Sequence, residues 1–488
     1  MLDSWHFWIG LVWCIYAVVL AAWVILEKRP PASTIAWVFC LAILPGLGIV
    51  IYYIFGPRKI KRQQHYRNLS KQKVRSHPDL QQHNQNGLVL ESHHQELSCL
   101  AESLTDYAAS YATDFQVLSG GVETFQALYE AIDQAQYLIL MEYYTFNKDH
   151  TGQLFKELLT KKARQGVQVY LLIDALASWR TTRKYMREFT EAGGHLEYFH
   201  DINFRRLQSL INMRNHRKIA ICDGQVAFFG GVNITDQENL KFNPEAFHDA
   251  HMRVKGPIVD WFELLFAEDW AYSTRKNLHS FVELIAYETE HKKTHAATHA
   301  EASNANVAVT YPMQLIPAGP DNQYAPVLRV MVNAIYQAKE FIYLTTPYFI
   351  PDISALHALT SVAKRGVDVR ILVPQKPDSF IVEQASQSWY EDMLKAGVNV
   401  YAYTPRMLHS KHMVIDHETA FIGSSNFDNR SFYLNFELMV ACYGADVTDQ
   451  LIQEFEQCLQ SAQALTLKEK SFVDRLIEAT ARLFSPIL

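Results

Sequence analysis

Little in this sequence points to a structural metal or a disulfide framework. The 488 residues contain six cysteines (Cys14, Cys40, Cys99, Cys222, Cys442 and Cys458), none in C-x-x-C spacing, and two of them lie within apolar segments. That excludes a zinc-ribbon module and leaves small buried hydrophobes in a reducing compartment. A basic excess is missing as well: 45 Lys and Arg face 51 Asp and Glu, for a net charge of -6. Proteins that wrap nucleic acid need the opposite balance, and no stripe of basic and aromatic residues makes up for it. Ahead of the first apolar run only Asp3 is charged, and a second apolar run follows. A cleaved signal peptide has neither feature.

What is present begins with those two runs. Phe7 to Leu26 is twenty residues without a charge, and Ile35 to Phe55 is twenty-one. At about 1.5 Å per helical residue each spans roughly 30 Å, a hydrocarbon thickness. Trp5, Trp8, Tyr52 and Tyr53 sit where interfacial anchors belong, so residues 1–57 are expected to form a two-helix transmembrane hairpin. Pro45, Gly46 and Gly48 mark a kink or a close helix contact in its second arm. The loop between the runs offers Lys28 and Arg29. Arg58, Lys59, Lys61, Arg62, Arg67, Lys71, Lys73 and Arg75 follow the second run with no acid among them. The positive-inside rule then places everything after Phe55 in the cytoplasm. Two readings of this tract stand: topology alone, or added attraction for anionic headgroups at roughly 1 kcal/mol per basic residue. His77 to about Ala101 is polar and aperiodic, so residues 58–101 read as a basic juxtamembrane segment and connector. His93-His94 has no carboxylate or thiolate at ligand spacing and reads as a solvated loop.

The remainder says nearly the same thing twice. A helix over Leu128–Ala135 leads to an apolar strand over Tyr137–Tyr144; a charged helix then runs to Gly166, and further strands are expected over Val167–Ile173 and Leu196–Phe199. The second copy has its helix over Val330–Ala338 and strands over Phe341–Tyr348, Val367–Val373 and Val398–Tyr401. Alternating helices and strands predict an α/β fold of two lobes, residues 102–287 and 307–488 with a carboxyl-terminal helix, each a mixed sheet flanked by helices. Residues 288–306 (ETEHKKTHAATHAEASNAN) are a polar linker or insertion; its His291, His295 and His299 share a helical face but lack a committed ligand set.

Each copy ends in the same pattern, H-x-K-x4-D-x6-G-[GS]-x-N. The first comprises His216, Lys218, Asp223, Gly230, Gly231 and Asn233; the second comprises His409, Lys411, Asp416, Gly423, Ser424 and Asn426, 193 positions later. One H-x-K means little, but a four-part spacing repeated does not arise easily by chance. The pair resembles the duplicated signature of the phospholipase D superfamily. Strand alternation puts each His and Lys on one face, and each Asn falls at a Gly-rich turn where backbone approaches a ligand. If the lobes pack about a pseudo-twofold axis, one pocket receives two His, two Lys and two Asn.

That set suits a phosphodiester, in which a poor alkoxide leaving group and a charged, repelling phosphorus both need help. One imidazole attacks phosphorus while the other shuttles the proton, and Lys218, Lys411, Asn233 and Asn426 bind the non-bridging oxygens. The resemblance implies a phosphohistidine mechanism without metal or other cofactor. It also implies that Asp249 and Glu437 orient the histidines. Asp223 and Asp416, members of the signature's candidate catalytic set, read instead as anchors of strand turns through salt bridges. Gly231 against Ser424 predicts asymmetric hydroxyl support.

The membrane segment KRPPASTIAWVFCLAILPGLGIVIYYIFGPR, the signatures NHRKIAICD and LHSKHMVID, GSSNFDNRSFYLNFE and the terminal SFVDRLIEATARLFSPIL together resemble bacterial cardiolipin synthases. The resemblance implies a multi-pass protein of the bacterial inner membrane that joins two phosphatidylglycerol molecules into cardiolipin and glycerol. Phosphatidylglycerol and anionic lipid are the expected partners, with no nucleic acid. His216 is taken as nucleophile and His409 as acid/base, an order that near-symmetry allows to be reversed. Arg205, Arg206 and Arg214, interleaved with Leu207, Leu210, Ile211 and Met213, fit either an interfacial segment or an ordinary surface helix. Competing readings are a membrane-bound phospholipase D, a transferase using another alcohol, a membrane-anchored nuclease and a non-catalytic lipid-binding scaffold.

Overall fold

The computed structural model describes residues 2–26, 31–44, 46–49, 52, 58–76, 88–200, 213–274, 309–467 and 469–486. The chain divides into two compact units, one within residues 1–63 and one drawing on residues 64–202 and 212–488. In the first, α1 (Leu2–Ile25) has 24 residues and α2 (Pro31–Ile43) has 13. The unbroken second helix expected to Phe55 is not formed. Gly46 takes φ +72, outside any right-handed helix, and a Cβ on Gly48 would lie 2.8 Å from the Cys40 carbonyl oxygen. Tyr52 is buried between Trp23 and Trp37, with ring centroids 5.2 and 5.0 Å away. Among the described residues no helix is long and apolar enough to cross a membrane. Lys28, Arg29, Arg205, Arg206 and the 288–306 insertion with its histidines lie outside the described residues.

The second unit opens within α3 (Arg58–Arg75), whose Arg67, Lys71 and Arg75 side chains turn inward, while Lys73 stays exposed. Arg67 is 1% exposed and ion-paired with Asp269 and Asp321; Lys71 reaches Asp321 at 3.0 Å and Arg75 reaches Glu268 at 2.7 Å. The expected connector contains a helix, α4 (Ser92–Thr105), because Leu97 and Ala101 recur one turn apart and enter a core.

Two sheets follow. The strands of the first half are β1 (Ser110–Ala112), β2 (Asp114–Ser119), β3 (Leu138–Tyr143), β4 (Gln168–Asp174), β5 (His195–Phe199), β6 (Lys218–Cys222), β7 (Val226–Gly230) and β8 (Ala250–Lys255). Those of the second are β9 (Tyr311–Ala318), β10 (Phe341–Thr345), β11 (Phe349–Ile350), β12 (Asp368–Pro374), β13 (Asn399–Tyr403), β14 (His412–Ile415), β15 (Thr419–Gly423), β16 (Phe427–Asp428), β17 (Glu437–Tyr443) and β18 (Ala462–Ala464). One sheet runs β2-β8-β7-β6-β3-β4-β5 and the other β1-β9-β17-β15-β14-β10-β12-β13-β18. The internal repeat is therefore structural: β3 to β8 take the places of β10, β12, β13, β14, β15 and β17. In both sheets three parallel strands (β3, β4, β5; β10, β12, β13) adjoin an antiparallel set, and central strands such as β3, β6, β15 and β17 are buried along both faces. Gly166 and Gly366, at φ +90 and +101, stop the equivalent helices, the second of which is α5 (Ile353–Lys364). β1 pairs with β9, and α4 packs with the second half, so these two elements associate with the second sheet.

Candidate active site

Each signature is a hairpin, β6–β7 or β14–β15, whose turn holds an aspartate in the left-handed region, at φ +49 for Asp223 and +50 for Asp416. Asp223 accepts hydrogen bonds from the backbone N–H groups of Gln136, Tyr137 and Leu138 at 2.7–2.8 Å. Asp416 accepts those of Lys339, Glu340 and Phe341 at 2.9–3.0 Å. The expected salt bridges are replaced by amide capping: each carboxylate satisfies N–H groups at the entry to the neighbouring antiparallel strand, β3 or β10. Neither aspartate lines the pocket that holds the histidines.

At the other end of each hairpin the halves cross. Asn215 pairs with Phe436 and Leu408 with His248 as isolated parallel bridges, with His216 N–H donating to Phe436 O at 2.8 Å and His409 N–H to His248 O at 2.6 Å. In each bridge the residue before a signature histidine meets the residue before an acid of the opposite half. The consequence is reciprocal. His216 Nδ1 lies 3.0 Å from Glu437 Oε2, and His409 Nδ1 lies 2.5 Å from Asp249 Oδ2. An ionised carboxylate only accepts, so Nδ1 carries the proton and each Nε2 keeps its lone pair.

Both rings line one cavity of about 320 Å³ together with Asn233 and Asn426. Lys218 and Lys411 are each 1% exposed and donate to the carbonyl of their own signature histidine, Lys218 at 2.6 Å. Tyr144 stands edge-on to His216 with centroids 4.6 Å apart, beneath the Lys218 ammonium.

The support is unequal, as Gly231 and Ser424 predict. Ser424 Oγ donates to Glu437 Oε2 at 2.5 Å, and Asn435 Nδ2 donates to Glu437 Oε1 at 3.1 Å. At Gly231 a Cβ would fall 2.0 Å from Asp249 Oδ1, so glycine is what lets that carboxylate pass. Asp249 instead takes the Ala250 N–H at 2.7 Å and has Lys411 Nζ 3.5 Å away.

Burial governs the electrostatics. It pulls His216 down to about 4 against the pull of Glu437, lowers His409, and brings Lys218 down to about 7. Burial alone would raise Asp249, but Lys411 and His409 hold it at about 2. Glu437 is likewise held low by His216 despite its burial. Glu238 goes the other way: burial and the neighbouring Asp249 charge push it up to about 8.

Glu238 is one of several pocket residues that the signature spacing does not reveal, with Tyr348, Asp378 and Arg430. It accepts from Asn233 Nδ2 at 3.3 Å and stands 3.7 Å from His409 Nδ1. Its only sequence signal is position, five residues past Asn233 beyond the Gly-rich turn. Glu238, Asp249 and His409 have the proximity of a metal-binding group, but the His409–Asp249 bond and the Lys411 cation already occupy those donors. His94 is buried rather than solvated, and the fold brings Glu418 to the histidine pair as the carboxylate the local sequence lacked. Arg214 is buried and paired with Asp174 at 3.5 Å, which removes it from any lipid-facing segment.

Two mixed sheets of one strand order, with two H-x-K hairpins delivering their histidines to a shared pocket, define a protein of the phospholipase D class. The family model described as "Cardiolipin synthase, PLD-like domain" matches residues 128–270 and 331–459, and "Phospholipase_D-nuclease N-terminal" matches residues 11–57. The cardiolipin synthase of Geobacillus sp. (strain WCH70) is 35% identical over 97% of this chain and 92% of its own. That of Halalkalibacterium halodurans is 34% identical over 100% and 96%. Among solved structures, Haemophilus influenzae phosphatidylserine synthase superposes with a TM-score of 0.59 at 15% identity, covering 80% of this chain and all of its own, a likeness of fold. The chain belongs to the cardiolipin synthase family of the phospholipase D superfamily.

Proposed function

We propose that this protein transfers a phosphatidyl group from one phosphatidylglycerol to another, forming cardiolipin and releasing glycerol. The observation that carries the reading is the reciprocal pairing: two Nδ1-protonated imidazoles face one pocket, each held by a carboxylate from the opposite half. His216 Nε2 attacks phosphorus and the bond to the glycerol oxygen breaks, leaving a phosphatidyl-histidine. His409, protonated in the substrate complex, gives its Nε2 proton to that oxygen, and glycerol leaves. The free primary hydroxyl of a second phosphatidylglycerol then gives its proton to His409 and attacks phosphorus; the P–N bond breaks and cardiolipin forms. Lys218, Lys411, Asn233 and Asn426 stabilise the charge on the non-bridging oxygens. An arriving phosphodiester anion favours the charged forms of both lysines and of His409, which burial otherwise suppresses.

The membrane reading is also ours. The uncharged runs Phe7–Leu26 and Ile35–Phe55, with the basic excess after the second, support two spans and a cytoplasmic catalytic region at a bacterial inner membrane. Reporter fusions after residues 29 and 76 test it, and a periplasmic signal from the second would overturn it. For the reaction, purified protein in phosphatidylglycerol vesicles is analysed by lipid mass spectrometry beside His216→Ala and His409→Ala. Cardiolipin with equimolar glycerol, lost in both variants, is expected. Phosphatidic acid as the sole product would replace the synthase by a hydrolase.

A further inference from the structure

The last helix, α7 (Phe472–Arg482), packs by its polar side. Its buried residues are Glu478 and Ala481. Lys470 Nζ donates to Glu478 at 2.7 Å, while Arg482 pairs with Asp392 at 3.0 Å and lies 3.5 Å over the Trp389 ring, both on α6 (Phe380–Ala396), the helix that carries it. Phe472, Val473, Leu476 and Ile477, then Leu483 and Phe484, point outward and are 39–78% exposed. If the helical turn is continued through Phe484, at 3.6 residues per turn, these positions fall in one sector roughly 140° wide. A surface helix of a soluble domain buries such a stripe and exposes its polar side; here the order is reversed.

Both attachments of this patch lead to the pocket mouth. Asn429 Nδ2 donates to Ser485 O at 3.1 Å, and the neighbours of Asn429, Asp428 and Arg430, line the pocket. At the start of α6, Asp378 and Val382 line the pocket too, and between them Phe380 and Ile381 are 66% and 51% exposed. Apolar side chains thus stand exposed in two separate segments, one at the pocket opening and one on the helix tied to it through Ser485.

We propose that α7 and the Phe380–Ile381 rim seat in the surface of the lipid leaflet that supplies the substrate, so the headgroup phosphodiester enters the pocket while its acyl chains stay in the bilayer. The occupant follows from continuity with the pocket, and so rests on the lipid reading above. Interfacial helices bind by this kind of Phe/Leu face. Seated in the leaflet, the rim would shield a phosphohistidine intermediate from bulk water.

The test uses the full chain in vesicles containing phosphatidylglycerol with a photoactivatable diazirine on an acyl chain. Adducts mapped within residues 472–484 and at Phe380 or Ile381 are expected. The triple variant Leu476→Gln, Leu483→Gln, Phe484→Gln should turn over vesicle phosphatidylglycerol at least tenfold more slowly. It should match wild type on short-chain phosphatidylglycerol dispersed as monomers. Equal loss on both substrates, absence of adducts from these segments, or crosslinks there to a second copy of the chain would overturn the proposal. A wild type that forms acyl adducts at these positions but no cardiolipin would sink the assigned reaction and leave the leaflet contact standing.

Discussion

His409 Nδ1 lies 2.5 Å from Asp249 Oδ2, a carboxylate 160 residues earlier and on the opposite half of the repeat. With His216 and Glu437 related in the same way, neither half holds a complete acid–histidine pair of its own. Glu437→Gln should therefore damage His216 and Asp249→Asn should damage His409. Loss of an orienting carboxylate from a histidine that transfers protons or attacks is expected to cost roughly 10²- to 10⁴-fold in turnover. The two losses should differ in kind. Rapid-quench trapping with a donor whose leaving group needs no proton, such as a p-nitrophenyl phosphatidyl ester, should find little phosphatidyl-histidine in Glu437→Gln and an accumulation in Asp249→Asn. The opposite pattern would reverse the roles of the histidines.

Glu238 supplies a pH signature. Its folded-state value of about 8 stands above the ordinary 4.5, so the folded protein keeps a proton that the unfolded chain releases between those values. Its contribution to stability is present below pH 4.5 and is lost as pH rises through about 8. Glu238→Gln keeps the neutral shape at all pH, so it should unfold later than wild type at pH 9 and show little difference at pH 5. Wild-type turnover should decline above about pH 8, when a second anion appears beside Asp249, and the variant should hold its activity further into alkali. Superimposable pH profiles for the two proteins would remove Glu238 from the site's proton balance.

The order of elements and both signatures were legible in the sequence because strand and helix periods repeat and spacing within a hairpin is local. The cross-half pairing was not, because it depends on two isolated bridges, Asn215 with Phe436 and Leu408 with His248, that no local pattern encodes. Basic residues were ambiguous for a related reason. A run such as Arg67, Lys71 and Arg75 looks the same whether it meets lipid or buried acids, and Glu268, Asp269 and Asp321, about 200 to 250 residues away, decide the matter. Glu238 escaped notice because its role comes from burial, and burial is set by the tertiary fold.

The α3 docking makes its own prediction. Arg67 is fully buried against Asp269, which also binds Arg217, the residue between His216 and Lys218. Arg67→Ala would leave buried carboxylates uncompensated, a change that costs on the order of 3–5 kcal/mol. Guanidinium unfolding of the detergent-solubilised chain should show a loss of that size, with affinity for anionic vesicles unchanged. A headgroup-binding role would give the reverse: weaker vesicle binding at unaltered stability.

The halves are related but cannot be exchanged, and Gly231 is where this is sharpest. Gly231→Ser would make the two signatures read alike at that position, yet the added Cβ would fall 2.0 Å from Asp249 Oδ1 and 2.5 Å from its Cγ. The carboxylate would have to swing away from His409. Turnover should fall about as far as in Asp249→Asn, with the defect again in the proton transfers made by His409. Ser424→Gly has no such clash: it removes one hydroxyl donor from Glu437, which keeps Asn435 and His216. A single hydrogen bond to a charged group is worth about 1.5–3 kcal/mol, so a loss of roughly ten- to a hundredfold in the formation step is expected. Combining the two changes would not restore activity, because the acid in one half is an aspartate on a short tether and in the other a glutamate on a longer one. Rapid-quench measurement of both single variants and the double checks this, and recovery in the double would mean that the halves tolerate exchange after all.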